Sequence, residues 1–180
     1  MRNVYLIGFM GAGKSTVGRI LAEALGMEFL DTDELIVERA GLPIPEIFSH
    51  LGEKHFRKLE RDVIEEIAGK RGLVVALGGG APMDDENWRR LRGSGVTVYL
   101  RESPEVLAER LADDDTRPLL VGHSGEARKE RVRSLLASRE PRYLEADVVV
   151  ECRGRRPEDV AADVLRRLED AGLESGMRRG

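Results

Sequence analysis

The chain has 180 residues, of which 34% are charged, and its net charge at neutral pH is −4. This length favours one domain with a sizeable core, and the acidic balance argues against a nucleic-acid-binding protein, which usually carries a basic excess. The sequence contains no run of about 18 apolar residues, so we expect no membrane span, and the single cysteine, Cys152, excludes an internal disulfide and a multi-cysteine metal site.

Apolar runs alternate with amphipathic segments along the chain. This pattern predicts an α/β fold with a central parallel sheet of about five strands, flanked by helices. In such sheets ligands bind beyond the carboxyl ends of the strands, so the residues after each strand are the candidates for function. The predicted strands are Val4–Ile7, Glu28–Leu30, Leu73–Leu77, Val96–Leu100 and Val148–Val150. The predicted helices are Lys14–Leu25, Glu34–Ala40, Glu53–Ala68, Asn87–Arg92, Pro104–Leu111, Ala127–Arg139 and Pro157–Leu168.

Residues 1–171 are predicted to form a single domain. Within it, the polar segment 113–126 interrupts two helical patterns and contains two glycines, which is typical of a mobile lid. The tail 172–180 is rich in glycine and arginine and is predicted to be disordered. Because the first strand pattern starts almost at the N-terminus, we expect no signal peptide and a cytoplasmic location.

The segment Gly8–Thr16, between the first predicted strand and the first helix, fits the phosphate-binding pattern G-x-x-x-x-G-K-[ST]. Its glycines allow backbone N–H groups to turn towards a phosphate chain, and the helix N-terminus adds a positive dipole end. Lys14 is expected to reach the β- and γ-phosphates, and the Ser15 hydroxyl to contact Mg²⁺. The alternative is a glycine turn that only joins a strand to a helix.

Asp31-Thr32-Asp33 follows the second predicted strand. One carboxylate is placed to hold Mg²⁺ opposite the phosphate loop, and the other to orient or deprotonate a substrate hydroxyl. Alternatively, Thr32 or Asp33 simply caps the next helix.

Arg57 has Glu53 and Glu60 as its i−4 and i+3 neighbours on a predicted helix. This spacing fits an arginine held in place by Glu60, or else a solvated, salt-bridged face. After the third strand, Gly78-Gly79-Gly80 either exposes backbone to a ligand or forms an irregular turn.

Arg117 lies in the predicted lid, ahead of Pro118-Leu119-Leu120. An arginine there can stabilise a transferring phosphoryl group when the lid closes, or it can be a surface charge of the loop. Arg139, just before Pro141, suits either a bidentate pair with a substrate carboxylate or the carbonyl end of a helix.

These motifs, in this order, resemble the shikimate kinase family, small P-loop kinases of aromatic amino-acid biosynthesis. The phosphate-binding loop alone is shared by a very large superfamily, whereas the ordered set is specific. The likeness extends from about Asn3 to Leu168. The set consists of Gly8–Thr16, Asp31-Thr32-Asp33, Phe56-Arg57 with Glu60, Leu77-Gly78-Gly79-Gly80, Arg117-Pro118-Leu119-Leu120, and Arg139 ahead of Tyr143.

The resemblance implies a P-loop kinase fold, the cofactors ATP and Mg²⁺, and phosphorylation of shikimate at its 3-hydroxyl to give shikimate 3-phosphate and ADP. It implies that Lys14, Asp33 and Arg117 act in catalysis and that Ser15 and Asp31 hold the metal ion. The implied nucleotide-binding residues are Gly11, Ala12, Gly13, Lys14, Ser15, Thr16, Arg110, Arg117, Arg155 and Pro157. The implied shikimate-binding residues are Asp33, Arg57, Gly79, Gly80 and Arg139. We expect a monomer with no nucleic-acid or membrane partner.

The sequence departs from the family pattern after the last strand, where Glu151-Cys152 replaces the usual Asp-Thr. The departure concerns the residues around the adenine rather than those around the phosphates. The lid also carries three consecutive aspartates, Asp113 to Asp115, for which the sequence predicts no role.

Other classes of protein fit part of the sequence. Another small-molecule kinase or a nucleoside monophosphate kinase would share the loop, the sheet and the lid, but two arginines and a triple glycine suit a small hydroxy acid better than a nucleobase. A GTPase switch needs an Asn-Lys-x-Asp motif, and neither Asn3 nor Asn87 lies in one. A nucleotide-binding protein without catalysis stays open, although no matched catalytic position is missing.

Overall fold

The structure, a computed structural model, describes residues 2–171 and has a central sheet of parallel strands. The strands are β1 (Asn3–Ile7), β2 (Glu28–Asp31), β3 (Leu73–Ala76), β4 (Gly95–Arg101) and β5 (Val148–Glu151). They lie in the order β2-β3-β1-β4-β5, and every neighbouring pair is parallel. The predicted α/β class and parallel sheet are therefore confirmed, and the strand ends differ from the prediction by one residue.

Helices cover both faces of this sheet. Along β1, Val4 and Leu6 face one apolar cluster while Tyr5 and Ile7 face another, as the alternation of side chains along a strand requires. Short helical turns lie between the main elements at Ile47–Leu51, Ala81–Met83 and Pro118–Leu120. The helices are α1 (Lys14–Leu25), α2 (Thr32–Ala40), α3 (Ile44–Glu46), α4 (Glu53–Ala68), α5 (Asp85–Ser94), α6 (Pro104–Arg110), α7 (Gly125–Tyr143) and α8 (Pro157–Asp170).

Helix α7 is longer than the predicted Ala127–Arg139, because it continues through Pro141 to Tyr143. Proline lacks the N–H group that an interior helix position needs, which is why the sequence predicts an end before it. Tertiary packing outweighs that loss. Tyr143 is fully buried, its ring lies 5.1 Å from that of Tyr99, and its hydroxyl donates to the Gly79 carbonyl at 2.5 Å.

The sequence predicts no element between α2 and α4, yet α3 and the turn Ile47–Leu51 lie there. Pro43 and Pro45 mask the helical pattern, because proline is more typical of turns and of first helical positions than of helix interiors. The short segment is held by its apolar contacts: Ile47 is fully buried, and the Phe48 ring lies 4.8 Å from that of Phe56.

Two further predictions concern the C-terminal tail and membrane-spanning helices. The predicted disorder of 172–180 falls outside the described residues. Within residues 2–171, no helix combines the length and the apolar character needed to cross a bilayer.

Helix α1, which follows the phosphate-binding pattern, packs closely on the sheet at Gly18. A β-carbon built at Gly18 would lie 2.4 Å from the Phe29 ring and 3.2 Å from Leu6. The glycine therefore sets how near the start of α1 lies to the strand ends.

We predict that Gly18→Ala lowers the free energy of unfolding, even though alanine favours helices by about 1 kcal/mol over glycine. Overpacking costs about 1–3 kcal/mol, which exceeds that gain. The matched control is Gly93→Ala in α5, where a β-carbon meets nothing within 4 Å, so this change should stabilise the protein. Urea titration of both variants measures the difference; a stabilised Gly18→Ala protein contradicts the prediction.

Candidate active site

The segment Gly8–Thr16 curves from the end of β1 into the first turn of α1. Gly8 has a φ of +146°, and a β-carbon there would lie 2.7 Å from the Leu100 carbonyl oxygen of β4. Gly11 and Gly13 have φ values of +79° and +88°, which favour glycine. Because α1 begins at Lys14, its free N–H groups face the cradle of the loop and suit an anion.

The Lys14 ammonium lies inside this loop. It donates to the carbonyl oxygens of Gly8 at 2.9 Å and Phe9 at 2.8 Å. Burial lowers the pKa of Lys14 to about 8, against the opposing attraction of Asp33 and Asp31. A bound anion would offset part of the free-energy cost of burying the Lys14 ammonium, because its negative charge lies beside the positive one.

Asp31, the last residue of β2, both caps α2 and faces the phosphate loop. Its Oδ1 accepts from the backbone N–H groups of Asp33 at 2.9 Å and Glu34 at 3.4 Å, while its Oδ2 accepts from the Ser15 hydroxyl at 2.5 Å. Thr32 and Asp33, the alternative caps considered from the sequence, do not make this cap.

The pair of Ser15 and Asp31 has the chemistry that Mg²⁺ prefers, since hydroxyl and carboxylate oxygens are hard ligands. Residues 2–171 contain no group of three or more His, Cys, Asp or Glu side chains arranged to hold a metal. The two oxygens therefore fit a Mg²⁺ ion whose remaining ligands are phosphate oxygens and water, as is usual for nucleotide-bound Mg²⁺.

Two carboxylates converge over Gly78, just after β3. A β-carbon at Gly78 would lie 2.8 Å from Asp33 Oδ1 and 3.3 Å from Glu60 Oε1. Burial, with Asp31 adding to it, raises the pKa of Asp33 above its ordinary value, against the opposing effects of Lys14 and Arg117. Asp33 is thus a half-buried carboxylate between the phosphate loop and the triple glycine.

On α4, half-buried Arg57 forms an ion pair with buried Glu60. Glu60 is 1% exposed and accepts from Arg57 Nη1 at 2.9 Å and 3.2 Å, while Glu53 accepts from Arg57 Nη2 at 3.3 Å. Burial raises the pKa of Glu60, and Arg57 opposes the shift. The guanidinium faces the glycine loop, because a β-carbon at Gly80 would lie 2.5 Å from Arg57 Nη1.

The loop at Gly78–Gly80 is held from two sides. The buried Thr32 hydroxyl accepts from the Gly78 N–H at 2.9 Å, and Tyr143 binds the Gly79 carbonyl. Buried Arg139 approaches the same loop, with Nη1 3.3 Å from the place of a β-carbon at Gly79. From the sequence, Thr32 is predicted only as an alternative helix cap and Tyr143 has no predicted role, although both lie within the motifs described above.

One cleft of about 420 Å³ gathers most of the predicted site. Thr116–Leu119, part of the predicted lid, lines this cleft together with residues of α4 and of the glycine loop. The predicted residues that line it are Gly11, Gly13, Lys14, Ser15, Thr16, Asp31, Asp33, Arg57, Gly79, Gly80, Arg117 and Arg139.

Four predicted nucleotide-binding residues do not line this cleft: Ala12, Arg110, Arg155 and Pro157. Ala12 is buried beneath the loop, and Pro157 is the first residue of α8. Arg155 bonds to Glu151, Asp159 and Asp163 on the outside of α8.

Arg110 remains connected to the phosphate loop, because its Nη1 donates to the Gly11 carbonyl at 2.8 Å. Its other partner is Glu102, whose carboxylate is 3.5 Å away and 1% exposed. Glu102 also accepts from the Gly154 N–H at 3.1 Å, so it joins Arg110 to the loop before α8. Sequence reasoning assigned no role to Glu102; its position directly after β4 was the available signal.

Comparisons with known proteins agree with this geometry. The family model described as Shikimate kinase matches residues 10–169. A shikimate kinase of Thermodesulfovibrio yellowstonii is 43% identical over 169 residues, covering 94% of this chain and 96% of the relative. One from Geobacter sulfurreducens is 46% identical over 163 residues, covering 91% and 88%.

Solved structures show the same likeness. The shikimate kinase from Acinetobacter baumannii in complex with shikimate has a TM-score of 0.91 and 40% identity, covering 96% of both chains. A gluconokinase from Sinorhizobium meliloti has a TM-score of 0.60 and 22% identity, covering 97% of both chains, and this likeness concerns the fold alone.

We predict that affinity for ADP falls as the pH rises above about 8. The anion binds protonated Lys14, and free Lys14, with its lowered pKa, loses its proton in that range. One pH unit above the pKa, binding should be about tenfold weaker and accompanied by proton uptake. Calorimetry from pH 7 to 9 measures both quantities. Lys14→Arg is the control, because arginine stays charged; an equal loss of affinity in this variant, or no proton uptake by the wild type, contradicts the prediction.

Proposed function

This chain belongs to the shikimate kinase family, and we propose that it transfers the γ-phosphoryl group of ATP to the 3-hydroxyl of shikimate, giving shikimate 3-phosphate and ADP. The observation that carries the proposal is the single cleft in which Asp33 lies between a phosphate-binding loop and two arginines. The loop suits the donor, and the arginines suit an acceptor that carries a carboxylate.

The charges around the cleft support this pair of substrates. ATP carries about four negative charges, Mg²⁺ two positive ones, and a monocarboxylate acceptor about one negative charge, which leaves about three negative charges. The cleft is lined by four cationic side chains and by four carboxylates, those of Asp31, Asp33, Glu34 and Glu60. The cations are Lys14, Arg57, Arg117 and Arg139. These cations offer a positive partner to each anionic substrate inside the cleft, although the whole chain is acidic.

On the donor side, the backbone N–H groups of Gly11–Thr16 and the Lys14 ammonium are placed to hold the phosphates. Ser15 and Asp31 would hold Mg²⁺, which supplies charge neutralisation on the phosphate oxygens when it is bound. Arg117 lies on the lid side of the cleft, where it is suited to contact the transferring group.

At the other end of the donor site, Arg110, Arg155 and Pro157 remain proposals for contacts with the adenine. Arg110 is the best supported of the three, because it is already bonded to the phosphate loop.

On the acceptor side, Arg57 and Arg139 are placed to pair with the shikimate carboxylate. Glu60 and Glu53 hold the Arg57 guanidinium on α4, so little side-chain freedom is lost when substrate binds. Gly79 and Gly80 bring bare backbone to the same place, which allows a ring hydroxyl to approach closely.

Asp33 is proposed to orient the 3-hydroxyl and to accept its proton as the new O–P bond forms. A raised pKa makes a carboxylate a better proton acceptor, and burial produces that shift here. Since the phosphoryl group passes through a loose transition state, the positioning of the hydroxyl matters more than the strength of the base.

We also propose a cytoplasmic location, as the sequence analysis expects, because ATP and Mg²⁺ are abundant in the cytoplasm. Fractionation of cells that express the protein tests this location.

We predict that Asp33→Asn lowers kcat for shikimate phosphorylation by about 10²–10⁴-fold, the usual contribution of a general base, while ADP binding persists. The control is Asp62→Asn, the same change at an exposed position of α4. Coupled ADP-release assays and calorimetry measure the two quantities. Nearly unchanged kcat in Asp33→Asn removes the proposed role of Asp33.

We predict that Arg57→Ala raises the KM for shikimate by about 10- to 100-fold, the cost of a lost hydrogen bond between charged groups. The matched control is Arg61→Ala, one turn further along α4. Arg61 forms an ion pair with Asp84, in which Nη1 and Oδ2 are 3.6 Å apart. Shikimate methyl ester, which lacks the negative charge, should be a poor acceptor for the wild type and lose little more in Arg57→Ala.

The acceptor itself is tested by comparing kcat/KM of the wild type for shikimate, gluconate and nucleoside monophosphates. A preference for gluconate or a nucleotide overturns the proposed function, because the fold is shared with kinases of other substrates.

A further inference from the structure

The side chain of Arg117 is held by a neighbouring aspartate. Its Nε donates to Asp114 Oδ2 at 3.0 Å, while Asp114 Oδ1 accepts from the Thr116 N–H at 3.0 Å and from the Thr116 hydroxyl. Burial opposes ionisation of Asp114, but these hydrogen bonds outweigh it and lower the pKa of the carboxyl. Asp114 is therefore charged at neutral pH and fixed in its own turn.

The base of this turn is held by Arg128 of α7, whose side chain is 6% exposed. Its guanidinium donates to the carbonyl oxygens of Leu111 at 3.0 Å, Asp114 at 3.2 Å and, through Nε, His123 at 2.8 Å. It also pairs with the carboxylate of Asp115 at 2.6 Å. One buried arginine thus ties both ends of the lid segment together, beneath the Asp114 turn.

The guanidinium of Arg117 is aimed into the cleft. Arg117 lines the cleft, and its charge acts on Lys14 and on Asp33. Its ion pair with Asp114 uses Nε, which leaves the edge formed by Nη1 and Nη2 for a ligand in the cleft.

We propose that Asp114 is a positioning residue that orients Arg117 towards the transferring phosphoryl group. The inference rests on the proposed function, since it needs a phosphoryl group for Arg117 to contact. A guanidinium held through Nε has already lost most of its rotamer freedom, so its hydrogen bonds to phosphate need no further ordering of the side chain.

Two other roles of Asp114 predict effects of the opposite sign. If its negative charge acts only through space, neutralising it strengthens ATP binding and leaves kcat unchanged or higher. If the ion pair is a latch that keeps Arg117 away from the substrate, breaking it raises kcat. Positioning alone predicts that neutralising Asp114 lowers kcat.

The test compares Asp114→Asn with Asp113→Asn, which removes the same charge from the adjacent, exposed position. We expect Asp114→Asn to lower kcat by about 10- to 100-fold, as displacing a catalytic group by about 1 Å does, with the KM for shikimate unchanged. Asp113→Asn should keep the wild-type kcat. Asparagine keeps an oxygen that can accept from Thr116, and thermal unfolding checks that the variant is folded.

A double-mutant cycle with Arg117→Ala shows whether Asp114 acts through Arg117. In the Arg117→Ala background, Asp114→Asn should lower kcat no further. The inference is overturned if the kcat of Asp114→Asn equals or exceeds that of Asp113→Asn. It is also overturned if Asp114→Asn lowers kcat by the same factor in the wild-type and Arg117→Ala backgrounds.

These outcomes stay distinct from failure of the proposed function. A wild type that does not phosphorylate shikimate ends the proposed function. If the wild type phosphorylates shikimate and Arg117→Ala keeps the full kcat, the role of Arg117 and this inference are refuted, and the proposed function remains.

Discussion

The active cleft depends on the close approach of charged side chains to a backbone that carries no side chains of its own. A β-carbon at any of Gly78, Gly79 or Gly80 would come within 3.3 Å of Asp33, Arg139 or Arg57. Each glycine faces a different charged group, so the three are not interchangeable turn residues. The geometry of the proposed acceptor site follows from this contact, since a larger residue would push apart the charged groups that the proposal assigns to one substrate.

Such a cluster of buried charges is stable only when its members are paired, because an isolated buried ion is expensive. Glu60 pairs with Arg57, and Asp33 lies within the electrostatic reach of Lys14 and Arg117. The charges are therefore ordered before any substrate arrives. A site ordered in this way loses little energy to rearrangement during the reaction, which is the main advantage of a polar active site over water.

The proposed nucleotide end of the site depends on a different kind of contact. Glu102 joins Arg110 to the loop that follows β5 through a buried carboxylate. Cys152, where the sequence departs from the family pattern, lies near this link, since the charges of Glu102 and Arg110 both act on its thiol; the bonds of the link itself are made by Glu102, Arg110 and Gly154. Glu151 pairs with Arg101 at 3.0 Å, and Cys152 is buried, which raises the pKa of its thiol to about 12. Glu151 thus links β5 to β4 through an ion pair, and Cys152 packs in the apolar core.

The sequence by itself determined the elements and the chemistry that depend on neighbouring residues. Three such features each depend on residues only a few positions apart: the loop at Gly8–Thr16, the alternation of strands and helices, and the i+3 spacing of Arg57 and Glu60. Each predicted helix and strand overlaps an observed one. The predicted end of α7 before Pro141 was wrong, because distant contacts of Tyr143 hold the helix together.

Only the tertiary structure decided which distant residues meet. The hydrogen bond between Thr32 and Gly78 and the link from Glu102 to Arg110 depend on folding and strand order, which alternation alone does not specify. Local patterns describe how each segment folds, whereas these contacts depend on which strand ends lie side by side. The predicted lid shows the same division: Arg117 is only three residues from its partner Asp114, whereas the pairing of Asp115 with Arg128 of α7 depends on how the chain folds.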